Sequence, residues 1–324
     1  MENSESQSGI GLIPKPAKPE VSMDWRPESI RIASICIIVL GHMLLTTGYI
    51  VNDASNPLVW VAGMGIVAFV VCSSYVHALK DDFNKPGSLT LSTYWKFFKN
   101  RFLRLYIGYY IALIVIVIAK LCAGYTILFA SSGLTIGGSS RAIPIIISPE
   151  SLALDLSCMW PLITGLLGGL FPEAWFICAI MILSLVYPFL RRLHSINPIY
   201  LYLIIAVTLV ARLLVVFFSN PNYAFHFPFA WTAEFSVGIL IGNRVCKKGG
   251  PPPANALYQR ILIRVATRVW PIYLFHMAGV VFMHDYAPLK DFILTFVVII
   301  ILVEFFVRIL RDINNIIGGK KKKK

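Results

Sequence analysis

The sequence predicts an all-α, polytopic membrane protein: a bundle of about eight transmembrane helices, within a range of eight to ten, and both termini in the cytoplasm. Three observations carry this expectation. Hydrophobic residues fill 57% of 324 positions and charged residues only 14%, more apolar surface than a soluble chain can hide; the mean hydropathy is +0.73. Several stretches of about 20 residues run almost without charge, the length that crosses a bilayer core. The net charge of +13 lies between those stretches, as cytoplasmic loops require, and forms no patch for nucleic acid.

In chain order the spans fall at roughly 30–51, 58–79, 103–130, 174–190, 197–219, 228–245, 262–284 and 289–310. Backbone polar groups must be paired in lipid, so each reads as a helix. Barrel strands would alternate in polarity over about ten residues, and none does. The two chain ends, the loops 80–102, 191–196 and 246–261 and the flanks of these regions hold nearly all Lys and Arg, and the outward loops hold almost none, with Arg141 and Lys290 as exceptions. A full span within "LALDLSCMWPLITGLLGGLFP" would put the wrong sign on every later loop. Residues 131–173 are therefore placed outside as a long loop with room for a re-entrant stretch. Residues 1–25, with Pro14, Pro16 and Pro19, read as a disordered cytoplasmic tail and lack the pattern of a signal peptide. The transmembrane domain covers 26–310. The basic tail 311–324, ending in Lys320 to Lys324, suits anionic membrane lipid. The six cysteines form no CxxC pair and no metal or disulfide framework.

Ionisable residues at bilayer depth are costly and mark function. Here they are His42, Lys120, Arg212, Glu234, His276 and Glu304. Arg31 and His42, eleven residues apart, return to within about 20° on one helix face, with a rise of about 16 Å. A ligand with an anionic end and a reactive end would fit that stripe, since arginine suits phosphates and histidine general-base work. The plain alternative is a snorkelling arginine and a histidine bonded to a neighbouring helix. Arg101 and Arg104, in "WKFFKNRFLRLYIGYY", share a face and read either as an anion site opposite Arg31 or as an inside anchor with an aromatic belt. Trp270, Tyr273 and His276 share a face of the seventh span. Arg212 and Glu234 are expected to pair, Glu304 to pair within the bundle or meet solvent, and His77, His194, His284 and Asp285 to be surface groups; Lys120 has no assignment. There is no GxxxxGK[ST], GxSxG or HExxH motif and no acidic cluster for a metal.

The stretch "RIASICIIVLGH", with Arg31 and His42 as Arg-x10-His, resembles the opening signature of the membrane-bound acyltransferase family 3, whose members O-acylate sugars and other cell-surface molecules. Further stretches follow in the family's order: "GIVAFVVCSSYVHAL" with Ser73 or Ser74 at its serine, "FFKNRFLRLY" with Arg101 and Arg104, "EAWFICAIMILSLVYPFL" with Trp175, Phe176, Tyr187 and Pro188, and "IYLFH" with Tyr273 and His276. The usual glycine of the second motif and proline of the third are missing, members usually have about ten spans, and many carry a glutamate where this chain has Ile180; Glu173 stands nearby in sequence. The resemblance implies a cell-membrane enzyme, on the family pattern of a prokaryotic inner membrane. Acyl-CoA, acetyl-CoA by default, would bind at Arg31, Arg101 and Arg104, and His42 would be the catalytic base. Ser73, Ser74, Glu173, Trp175, Tyr273 and His276 would line the site, and Trp160 and Trp175 would help hold a glycan or other hydroxylated acceptor, with no metal. The alternative on the same fold is a transporter or exporter of polysaccharide intermediates or a small solute, using His42, Glu234 and His276 as relay groups.

Overall fold

The computed structural model describes residues 24–46, 57–81, 83–122, 124–131, 145–164, 169–219, 221–252, 254–283 and 297–309. The expectations for 1–23, 311–324, Arg141, His284, Asp285 and Lys290 fall outside these residues. The helices are α1 (Trp25–Thr46), α2 (Pro57–Lys80), α3 (Leu91–Cys122), α4 (Pro149–Ser157), α5 (Trp160–Thr164), α6 (Trp175–Ile196), α7 (Ile199–Phe218), α8 (Pro221–His226), α9 (Thr232–Lys247), α10 (Leu257–Ala266) and α11 (Val269–Met283). A last helix, α12, occupies 297–309. Among the described residues five helices, α1, α2, α3, α6 and α7, are long and apolar enough to cross a membrane.

Three segments depart from the predicted spans. The seventh span, 262–284, begins inside α10, and the chain turns at Thr267 and Arg268 before α11 starts. The sixth begins with a 3-10 turn at Pro228–Trp231, so α9 itself has 16 residues. The third ends at Cys122, and the next residues form β1 (Ile127–Phe129), which pairs in parallel with β2 (Ile145–Ile147). A short β pair lacks the long apolar run that marks a helix in sequence.

The segment after β2 turns back along α3. Ser148 caps α4 and forms a capping box with Ser151. At the other end of α4 the carbonyls of Ser157, Asp155 and Leu156 accept bonds from the hydroxyls of Tyr106 (2.6 Å), Tyr109 and Tyr110 (2.9 Å) on α3. These tyrosines therefore serve carbonyls of the helix's last turn, of which that of Asp155 also accepts from the Cys158 amide. One of the two readings of this stretch makes them part of an aromatic belt. They lie 12 to 16 residues before Cys122, so α4 ends about 18–24 Å back along α3 from the β pair. The described part of 131–173 thus runs beside α3 for much of its length.

Helix α6 is central and buried around most of its circumference, whereas α7 is exposed along nearly all of its length. Helices α2 and α9 meet through small residues. A Cβ on Gly238 would collide with Ser74 Oγ and the Val71 carbonyl, and one on Gly242 would lie 2.7 Å from the Ala78 Cβ. Close backbone approach of this kind binds helices in lipid, where apolar side chains gain little from leaving the solvent. Gly238→Val is expected to cost about 1–3 kcal/mol by forcing the pair apart. A thermal midpoint in detergent that matches the wild type would refute this.

Candidate active site

The predicted site residues fall into two layers. The first is cationic. Arg31 Nη1 bonds the Glu28 carboxylate at 2.8 Å, and its guanidinium sits 5.3 Å from the Phe69 ring centroid. Among the described residues its Nε has no hydrogen-bond partner. Arg104, Arg101, Lys80 and His77 all lie within electrostatic reach of Arg31. Arg101 Nε donates to Ser184 Oγ at 3.0 Å, and Ser184 donates to the Ile180 carbonyl at 2.6 Å. Ile180, at the place where many members of the resembled family carry a glutamate, is buried apolar core, and its carbonyl accepts from Ser184. His77 was read as a surface group, but its ring packs against Tyr187 and Phe97 beside the arginines.

The second layer contains His42 and His276. Nδ1 of His276 lies 2.6 Å from the Tyr273 carbonyl, and its Nε2 lies 3.2 Å from Nδ1 of His42. A carbonyl only accepts, so His276 carries its proton on Nδ1 and offers the Nε2 lone pair. Nδ1–H of His42 then donates to His276 and to the Ile38 carbonyl, which is 3.0 Å away. This network sets the tautomer: neutral His42 keeps its basic lone pair on Nε2. Tyr273 donates its hydroxyl to the Glu173 carbonyl at 2.5 Å. The Glu173 carboxylate is close enough to act electrostatically on His42, Tyr273 and Lys120.

The separation of the layers can be read from α1: Arg31 to His42 spans eleven residues, a rise of about 16 Å at 1.5 Å per residue.

Beneath Glu173 lies a clamp that the sequence did not reveal. Asp155 accepts bonds from Trp160 Nε1 (2.9 Å) and from the Leu170 amide (3.1 Å), and Lys120 Nζ donates to the Leu170 carbonyl at 2.7 Å. Both the N–H and the carbonyl of Leu170 are thereby held, three residues before Glu173. Gly169 has φ +77°, a left-handed conformation, and a Cβ there would strike Asp155 and Trp160.

The remaining site expectations fall elsewhere. Ser74 bonds backbone carbonyls of its own helix and packs at Gly238, while Ser73 is half-buried next to it. The Trp175 ring packs among Phe225, His226 and Trp231. Arg212 and Glu234 pair as expected, at 2.6 and 2.8 Å, with Arg212 over the Trp231 ring. Glu304 pairs with Arg268 at 2.8 Å.

A family model described as an acyltransferase domain matches residues 24–319. No curated protein and no solved structure matches the chain.

Proposed function

Because this chain belongs to the membrane-bound acyltransferase family 3, we propose that it moves an acyl group from cytoplasmic acyl-CoA to a hydroxyl on the far side of a cell membrane. The proposed topology has about eight spans with both termini inside. The observation that carries the reading is the pairing of layers: a cluster of Arg31, Lys80, Arg101 and Arg104, with Arg31 about 16 Å along α1 from a histidine with its lone pair on Nε2. Phosphates of the donor suit the cations, and its slender pantetheine arm suits the passage between layers.

At the histidine layer, Nε2 of His42 takes the proton of the acceptor hydroxyl as its oxygen attacks the thioester carbonyl. The C–O bond forms, the C–S bond breaks, and the thiolate leaves with that proton as CoA-SH. His276 holds the imidazole in the required tautomer. Glu173 stabilises the imidazolium formed during the transfer. Acetyl is the proposed acyl group, and a sugar of a cell-surface glycan the proposed acceptor, in keeping with the family's usual chemistry.

The test is binding of labelled acetyl-CoA to purified protein, with release of free thiol followed over time. Expected are binding competed by CoA and slow hydrolysis when no acceptor is present. Failure to bind acetyl-CoA or any longer acyl-CoA would remove the donor from the reading.

A further inference from the structure

Helix α10 is ten residues long, about 15 Å, and too short to cross a bilayer core of about 30 Å. Its side chains separate into three arcs at 100° per residue. Gln259, Leu262, Ile263 and Ala266 face the protein across about 100°, and the helix packs on α1. Leu257, Tyr258, Ile261 and Val265 form a second arc that stays exposed, at 70%, 55%, 50% and 42%. Arg260 and Arg264, one turn apart and both exposed, fill the gap between the arcs. The run 244–268 contains Arg244, Lys247, Lys248, Arg260, Arg264 and Arg268 and no acidic residue. Arg268 is paired with Glu304, and Arg260 reaches back to the Asn255 carbonyl. At the edge of the apolar arc, the Tyr258 ring meets Trp25, the first residue of α1, edge to face at 5.8 Å. Tryptophan and tyrosine favour the level where headgroups meet acyl chains.

We infer that α10 is an interfacial helix that binds anionic phospholipid, with Leu257, Ile261 and Val265 in the acyl region and Arg260 and Arg264 on headgroup phosphates. Water would not favour the apolar arc, and a second protein chain would not call for a guanidinium row along its edge. A lipid surface satisfies both together. The inference stands independently of the proposed acyl transfer. It bears on the site because α10 packs on α1, which carries Arg31 and His42, and leads directly into α11, which carries Tyr273 and His276.

The test uses the full chain in nanodiscs, with the exposed Cys36, Cys122 and Cys246 replaced by alanine. Nitroxide labels are placed singly at Ile261→Cys and Arg260→Cys. The label at 261 is expected to collide more with oxygen than with a water-soluble nickel chelate, and the label at 260 to show the reverse order. Adding phosphatidylglycerol to phosphatidylcholine is expected to slow the 261 label. Arg264→Gln in the 261-labelled chain should largely abolish that slowing, and inorganic phosphate should not reproduce it. Nickel preference at both positions would put the helix in water and overturn the inference. Spin–spin broadening at 261 would assign the apolar arc to a second copy. Phosphatidylglycerol sensitivity that survives in Arg264→Gln, or a response to inorganic phosphate alone, would overturn the headgroup assignment.

Discussion

Alanine at position 42 is expected to cut acyl transfer by about 10²- to 10⁴-fold, the usual contribution of a positioned general base. The same variant should keep its affinity for the donor. Arg31, Arg101 and Arg104 lie in the other layer, and Arg31 is eleven residues away on α1. Loss confined to kcat is the signature of a group that acts in the transition state. His276 supports a finer prediction. His276→Phe removes the acceptor at 3.2 Å but leaves the Ile38 carbonyl at 3.0 Å to hold Nδ1–H of His42. The tautomer should therefore survive with a looser ring, and kcat should fall only about tenfold. Should His42→Ala lose donor binding and turnover together, His42 would be part of the binding site or the structure, and a different base would be required.

Much of this arrangement was legible in the sequence because its carriers are periodic. Arg31 and His42 share a face by spacing alone, and Arg212 and Glu234 were recognisable partners because two isolated charges at matching depth must find each other. The break at Thr267 and Arg268 carried only a weak signal: Arg264, Thr267 and Arg268 interrupt the apolar run and Pro271 follows, yet neither turn residue is proline or glycine. The clamp on Leu170 was hidden for another reason. Asp155 lies 35 residues from Lys120 and 15 from Leu170, contacts that only tertiary structure brings together. The tyrosines of α3 read as a belt because nothing in their spacing distinguishes a lipid interface from the carbonyls of a returning helix. His77 had no signal of its own; its place beside the arginines follows from α2 packing along α1.

The cationic layer yields the other large effect, and it separates binding from folding. Arg31, Lys80, Arg101 and Arg104 crowd one another, and among the described residues Glu28 is the carboxylate that acts on Arg104 and Lys80. Arg31 and Arg101 are half-buried and Lys80 and Arg104 exposed, and like charges crowded with so little compensation cost the ligand-free protein stability. An anionic ligand would return that cost on binding. Arg104→Gln is therefore expected to raise the thermal midpoint of the ligand-free protein while raising the apparent donor KM about 10- to 100-fold, the worth of one or two charge-assisted bonds. CoA should raise the midpoint of the wild type through its preference for the folded state, and should do so far less in the variant. Arg31→Ala should show the same loss of donor affinity, offset in stability by the Glu28 carboxylate left unpaired. A cluster kept only for structure would behave oppositely: Arg104→Gln would melt earlier, and the shift produced by CoA would be unchanged.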